Sequence, residues 1–155
     1  MTITIRNITI AFLFSPLIVL IYLTAIFIGK SKAITYWGRV GTFLAKHLLR
    51  FLVPEIENAG EFDKFKAKMK ANFWLWRPLL GFRVAEETND IFKFYVWNCP
   101  FCEVLNTVGL SDLSPHVCEG DWAKANENRN KWLFERTHQI GTGDSFCDHT
   151  YLRKK

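Results

Sequence analysis

The feature that most constrains this chain is a run from Asn7 to Gly29, 23 residues without one charged side chain: NITIAFLFSPLIVLIYLTAIFIG. About 20 helical residues cross a hydrocarbon core of roughly 30 Å. Ser15-Pro16 would kink such a helix without forbidding it. A cleaved signal peptide would have a shorter apolar core and a small-residue cleavage site. This run is longer and ends in Gly29-Lys30-Ser31-Lys32. A mitochondrial transit peptide would carry arginines within the run, and a core helix apolar on every side does not suit a protein of 155 residues. The expectation is a transmembrane anchor over residues 1–32, a single pass.

Charge sets the orientation. The first acidic residue is Glu55, and Arg6, Lys30, Lys32, Arg39, Lys46 and Arg50 precede it; the rest of the chain, with 14 bases and 15 acids, is nearly neutral. The basicity therefore belongs to the N-terminal stretch and points to membrane lipid as partner, with no nucleic acid. Five of those six bases follow the apolar run, so the positive-inside rule places the C-terminal domain in the cytoplasm. Cysteines there stay reduced, free to bind metal or to react.

Residues 33–60 form an amphipathic segment and linker. Val40, Phe43, Leu44, His47, Leu48 and Phe51 recur at helical spacing, with Arg39, Lys46 and Arg50 mostly elsewhere, and Pro54 ends the helix. Two readings stay open: a helix lying in the membrane interface, and an ordinary helix packed on the domain. His47 reads as a packed side chain. From residue 61 to 155 the pattern is that of a small domain. Phe62, Phe65, Met69, Phe73 and Trp76 mark a helix that Arg77-Pro78 stops. Residues 82–87 and 91–97 form a hairpin about Thr88-Asn89-Asp90. Helices follow at 100–108 and 111–125, and a second hairpin joins 131–139 to 145–152 around Gly141-Thr142-Gly143. The fold class is α+β: an N-terminal transmembrane helix, an amphipathic helix, then two antiparallel hairpins with short helices.

All four cysteines, Cys99, Cys102, Cys118 and Cys147, fall in this domain. The two-residue gap of Cys99-Pro-Phe-Cys102 lets two thiolates reach one ion, and Cys118 and Cys147 complete a set for a divalent metal such as zinc. His116, His138 and His149 are spare ligands. A strand entering Cys99-Pro100-Phe101-Cys102 ahead of a helix is also similar to the redox turn of glutaredoxins and thioredoxins, but no proline precedes a later strand to face it. Covalent haem is disfavoured, because Glu103 stands where a histidine would be needed.

Over about Cys99 to Tyr151 the order Cys99, Gly109, Cys118-Glu-Gly-Asp121, Arg136-Thr137, Gly143, Cys147-Asp148 resembles the L-2-amino-thiazoline-4-carboxylic acid hydrolase family. His149 replaces that family's usual phenylalanine, and Cys102 is an addition. The 4-vinyl reductase domain is a more distant comparison. The resemblance implies hydrolytic opening of a cyclic amidine, with Cys99, Cys118 and Cys147 as nucleophiles or ligands. Asp121, one helical turn after Cys118, shares its face and is a candidate base. On a strand, His149 and not Asp148 shares the face of Cys147, which makes His149 a candidate substrate contact. Arg136 is a candidate for a substrate carboxylate, with a salt bridge to Glu135 or Asp144 as the alternative. Two functions follow: a membrane-anchored hydrolase, or a non-catalytic accessory subunit of a membrane complex or a small-ligand or metal-binding module. Other membrane subunits and a homo-oligomer are the further partners expected.

Overall fold

In a computed structural model, residues 3–155 are described, with side chains from Ile5 onward. Helix α1 (Ile3–Ile28) holds the apolar run. Pro16 cannot donate to the carbonyl of Phe12 four residues back, and Ser15 Oγ donates to that carbonyl instead at 2.8 Å. The helix thus continues through the proline with its acceptor satisfied. Gly29, at φ +85°, breaks it in a conformation that L side chains rarely adopt, and α2 (Lys30–Leu48) folds back along α1.

Helix α2 packs into the body of the protein. It lies against α5 (Ser114–Glu127) so closely that a Cβ on Gly120 would fall 2.6 Å from the Cβ of Ala45. Thr42 Oγ1 adds a hydrogen bond to the carbonyl of His116 at 2.8 Å. His47 is exposed and lies beside Phe43, its ring 4.1 Å from that ring.

Helix α3 spans Phe62–Trp76 and α4 spans Pro100–Thr107, each within a residue of the range read from the sequence. The strands are β1 (Phe82–Glu87), β2 (Ile91–Val96), β3 (Trp132–Glu135) and β4 (Cys147–Arg153). The two expected hairpins are present and join into one antiparallel sheet of order β1-β2-β4-β3, with Phe94 opposite His149 and Val96 opposite Cys147. One sheet face presents Phe92, Phe94, Phe134 and Tyr151 to Phe62, Phe65, Met69 and Phe73 of α3, and this is the main core. The alternation that places them there is the half-buried strand pattern. A second, smaller cluster joins Ile21 of α1 to Leu110 and Leu113, with Trp37 against it. The class is α+β, with one long apolar N-terminal helix.

Candidate functional site

Between the two apolar clusters lies a cavity of about 200 Å³. Its walls come from distant parts of the chain: Ile10, Phe14 and Leu17 of α1, Val40, Leu44 and Leu48 of α2, and the inner face of the sheet. Its lining contains no lysine or arginine. Five residues with reactive or titratable side chains line it, Cys99, Cys118, Asp121, Cys147 and His149. Four of the five were placed together by sequence spacing and resemblance as reacting groups, and His149 as a substrate contact.

Cys99 caps α4, with Pro100 starting the helix, and Cys102 is buried in the first turn. Cys118 comes from α5 and Cys147 opens β4. All four are free. Thiol neighbours thiol in a line from Cys99 through Cys102 and Cys118 to Cys147. The backbone presses on this line: a Cβ on Gly141 would meet Cys118 Sγ at 2.7 Å, and Ile140 N–H donates to Cys147 Sγ at 3.2 Å.

The line shares its protons unequally. Cys118 receives S–H bonds from Cys102 and from Cys147, which lower its pKa to about 4 against the opposing effects of burial and of Asp121, with Arg136 assisting. Cys102 is held protonated by its bonds to Cys118 and Cys99 and by burial. Cys147 is raised by its bond to Cys118 and by burial. The thiolate therefore belongs on Cys118. This predicts selective alkylation. At pH 6, N-ethylmaleimide, small and neutral enough for the cavity, should modify Cys118 at least ~10-fold faster than Cys102 or Cys147. Its rate should stay flat where that of an ordinary thiol falls with each unit of pH. Peptide mapping by mass spectrometry reads this, and equal modification of the three would refute the assignment.

Asp121 and His149 complete the five. Burial pushes the Asp121 carboxyl up, but His149 and then Arg136 more than offset it, so its pKa lies below the ordinary value. His149 Nε2 lies 3.4 Å from Asp121 Oδ2, and its ring stacks on Phe94 at 5.0 Å. With a carboxylate facing it, Nε2 carries the proton, and the buried Nδ1 has no partner.

Arg136 is placed differently from the expectation. It is bound to Asp121 Oδ2 at 2.6 Å, to the Cys118 carbonyl at 3.1 Å and to Gln139, with its side chain 2% exposed. It does not line the cavity, and its carboxylate partner is Asp121, not Glu135 or Asp144. Five donors on one planar group serve α5 and the loop after β3 at once, which spacing along the chain does not reveal. Asp148 points away from the cavity and accepts from Thr137 N at 2.9 Å and His138 N at 2.6 Å. His116 packs beneath Gly38, and His138 stacks on Phe146 at 4.6 Å.

The expected metal set of Cys99, Cys102, Cys118 and Cys147 is not supported. Among the described residues no group of three or more His, Cys, Asp or Glu side chains is disposed to hold an ion. Tyr151, Trp37 and Trp76 line the cavity and were missed. The two-residue period of β4 places Tyr151 on the face of Cys147 and His149; nothing in the sequence signals the two indoles.

The family model described as L-2-amino-thiazoline-4-carboxylic acid hydrolase matches residues 17–151, far more than the stretch from Cys99 expected from motifs. No curated protein matches the chain. Among solved structures, a trafficking protein particle complex subunit 3 from Naegleria fowleri, covalently bound to palmitic acid, aligns over 98% of this chain and 97% of its own, at 14% identity and a TM-score of 0.45.

Proposed function

The chain belongs to the L-2-amino-thiazoline-4-carboxylic acid hydrolase family, and from that premise we propose that it is a membrane-held member that binds a neutral apolar ligand and does not hydrolyse a cyclic amidine acid. The observation that carries this is the lining of the cavity. It is aliphatic and aromatic, with polar groups confined to the cysteines, Asp121, His149, Tyr151 and two indoles. A small substrate carrying a carboxylate would find no cation there. It would meet the Asp121 carboxylate and the Cys118 thiolate instead, while Arg136 lies outside the cavity lining, bound to Asp121 and the Cys118 carbonyl. An apolar guest gains ~0.8 kcal/mol for each CH₂ removed from water. Trp37 Nε1, Trp76 Nε1 and His149 Nδ1, on residues that line the cavity, are buried without partners. Such groups cost ~1–3 kcal/mol each when left so.

Helix α1 is long and apolar enough to hold the protein to a membrane. The bases that follow it suit a membrane surface carrying anionic lipid.

The full chain, purified in mild detergent, is extracted into organic solvent and the extract weighed by mass spectrometry against a variant with Leu17→Trp and Val40→Trp, which fills the cavity. A neutral apolar compound is expected from the parent chain and at least tenfold less from the filled variant, with thermal melts unchanged. Turnover of 2-amino-thiazoline-4-carboxylate that is lost in Cys118→Ser would overturn the proposal, and so would equal recovery from both proteins.

A further inference from the structure

Helix α1 is apolar on two opposite faces, and each face has its own use. One face turns inward: Ile10, Phe14, Leu17, Ile18 and Ile21 wall the cavity. The other carries Ile8, Phe12, Val19, Leu23, Ile26 and Phe27, all exposed, with Phe27 at 83%. A surface helix of a water-soluble domain has a polar outer face. Here the outer face is a continuous apolar stripe of the kind that marks an interaction surface.

The inner face is clamped to the domain along its length. Near the start, buried Arg6 pairs with Glu103 and donates to the Leu79 carbonyl at 2.9 Å, and Asn7 donates to the same Glu103 carboxylate at 2.8 Å. Midway, Phe14 meets Phe101 edge to face at 5.8 Å. Further along, the Tyr22 hydroxyl donates to the Val108 carbonyl. From Arg6 to Tyr22 the helix thus lies on protein for ~24 Å at 1.5 Å per residue. A helix that crosses a bilayer is bounded by lipid or other membrane-embedded surface over about 20 residues. This one has a domain with charged side chains along one side, including the Arg6–Glu103 pair and the Lys30–Asp112 pair at 2.9 Å.

Helix α2 supplies the complement. Lys32 and Arg39 are exposed, and their spacing keeps them on one face of α2 together with Lys46; Arg50, also exposed, follows in the short 3₁₀ turn Leu49–Phe51. Tyr36 and Phe43 follow Lys32 and Arg39 by four residues, so an aromatic row runs beside the basic one. Next come Leu44 and Leu48, which line the cavity and are each 38% exposed. The cavity therefore reaches the surface along α2, between the apolar helix and the basic row. This order of apolar, aromatic and basic residues matches the depth profile of a leaflet from acyl chains to anionic headgroups.

We infer that α1 lies in the plane of an anionic phospholipid leaflet, with its outer face among the acyl chains and the α2 bases on the headgroups, and that the cavity fills from that leaflet. Docking stands on the surface alone. Only the filling rests on the ligand-binding reading.

The test uses the full chain bearing one cleavable tag at each terminus, added to preformed vesicles of phosphatidylcholine with roughly a third phosphatidylserine, a content at which each base contributes ~1 kcal/mol. Flotation should recover the protein, and external protease should remove both tags. Lys32→Glu/Arg39→Glu/Arg50→Glu should lower binding at least tenfold on these vesicles and little on pure phosphatidylcholine. Phe12→Asp/Phe27→Asp should lower it on both, with circular dichroism unchanged. The cavity-filled variant should bind vesicles as the parent does, so loss of ligand and loss of docking are told apart. Protection of the N-terminal tag while the C-terminal tag is cut would show a spanning helix and overturn the inference. Failure to float together with a discrete dimer would assign the outer face to a second copy and overturn it too.

Discussion

Replacing Arg136 with methionine is expected to destabilise the protein by ~3–5 kcal/mol, because it strips a buried carboxylate of its cation. At roughly 2–4 °C per kcal/mol for a chain of this size, the melting temperature should fall by about 6–20 °C. Three acceptors lose their donor at once: Asp121, the Cys118 carbonyl and Gln139. Arg136→Lys restores the charge and not the fork, so it should recover only part of the loss. The change also has a pH signature. Asp121 titrates below its unfolded value, so its contribution is present above an unfolded carboxyl pKa of ~3.9 and is lost as pH falls through the lower folded value. Without Arg136 the folded pKa rises, and acid unfolding should begin at higher pH. Urea melts of the full chain in mild detergent, at neutral pH and at pH 4, measure both. A loss under ~1 kcal/mol would mean that water reaches the pair and screens it.

Phe65→Ala should cost a similar ~3–5 kcal/mol by a different route. Phe65 is fully buried where α3 meets the sheet, with its ring 5.6 Å from those of Phe62 and Trp132 and 5.2 Å from that of Tyr151. Truncation removes the transfer free energy and leaves a hole that three large rings cannot close. Phe65→Leu keeps most of the volume and should cost less than ~1.5 kcal/mol. A leucine variant as damaged as the alanine one would show that ring geometry, not volume, holds this layer. Unlike the arginine change, neither variant should shift the acid limb, which separates packing from charge.

Much of this architecture is legible in the chain. Helix α3 shows a single apolar stripe and β2 a strict alternation, because each buries one face only. The same logic placed Cys118 with Asp121 on α5, and Cys147 with His149 rather than Asp148 on β4. Periodicity identifies which side chains share a face. It is silent on what the face meets. The joining of two hairpins through β2 and β4, the pairing of Arg136 with Asp121 and the recruitment of Cys102 to the sulfur line all depend on contacts between distant segments.

Helix α1 draws that boundary most clearly. Its length and freedom from charge, set by Asn7 to Gly29, already called for an apolar environment and a helix long enough for a membrane. A helix that is apolar all round has no preferred side, so no pattern within it could choose an inner face. That choice fell to groups far along the chain: Glu103 receiving Arg6, the Val108 carbonyl receiving Tyr22, and Phe101 meeting Phe14. Composition alone required that α1 leave water. Only tertiary packing decided that half of it does so against its own domain, because burial rewards apolar area without regard to direction, whereas ion pairs and hydrogen bonds are made at one place only.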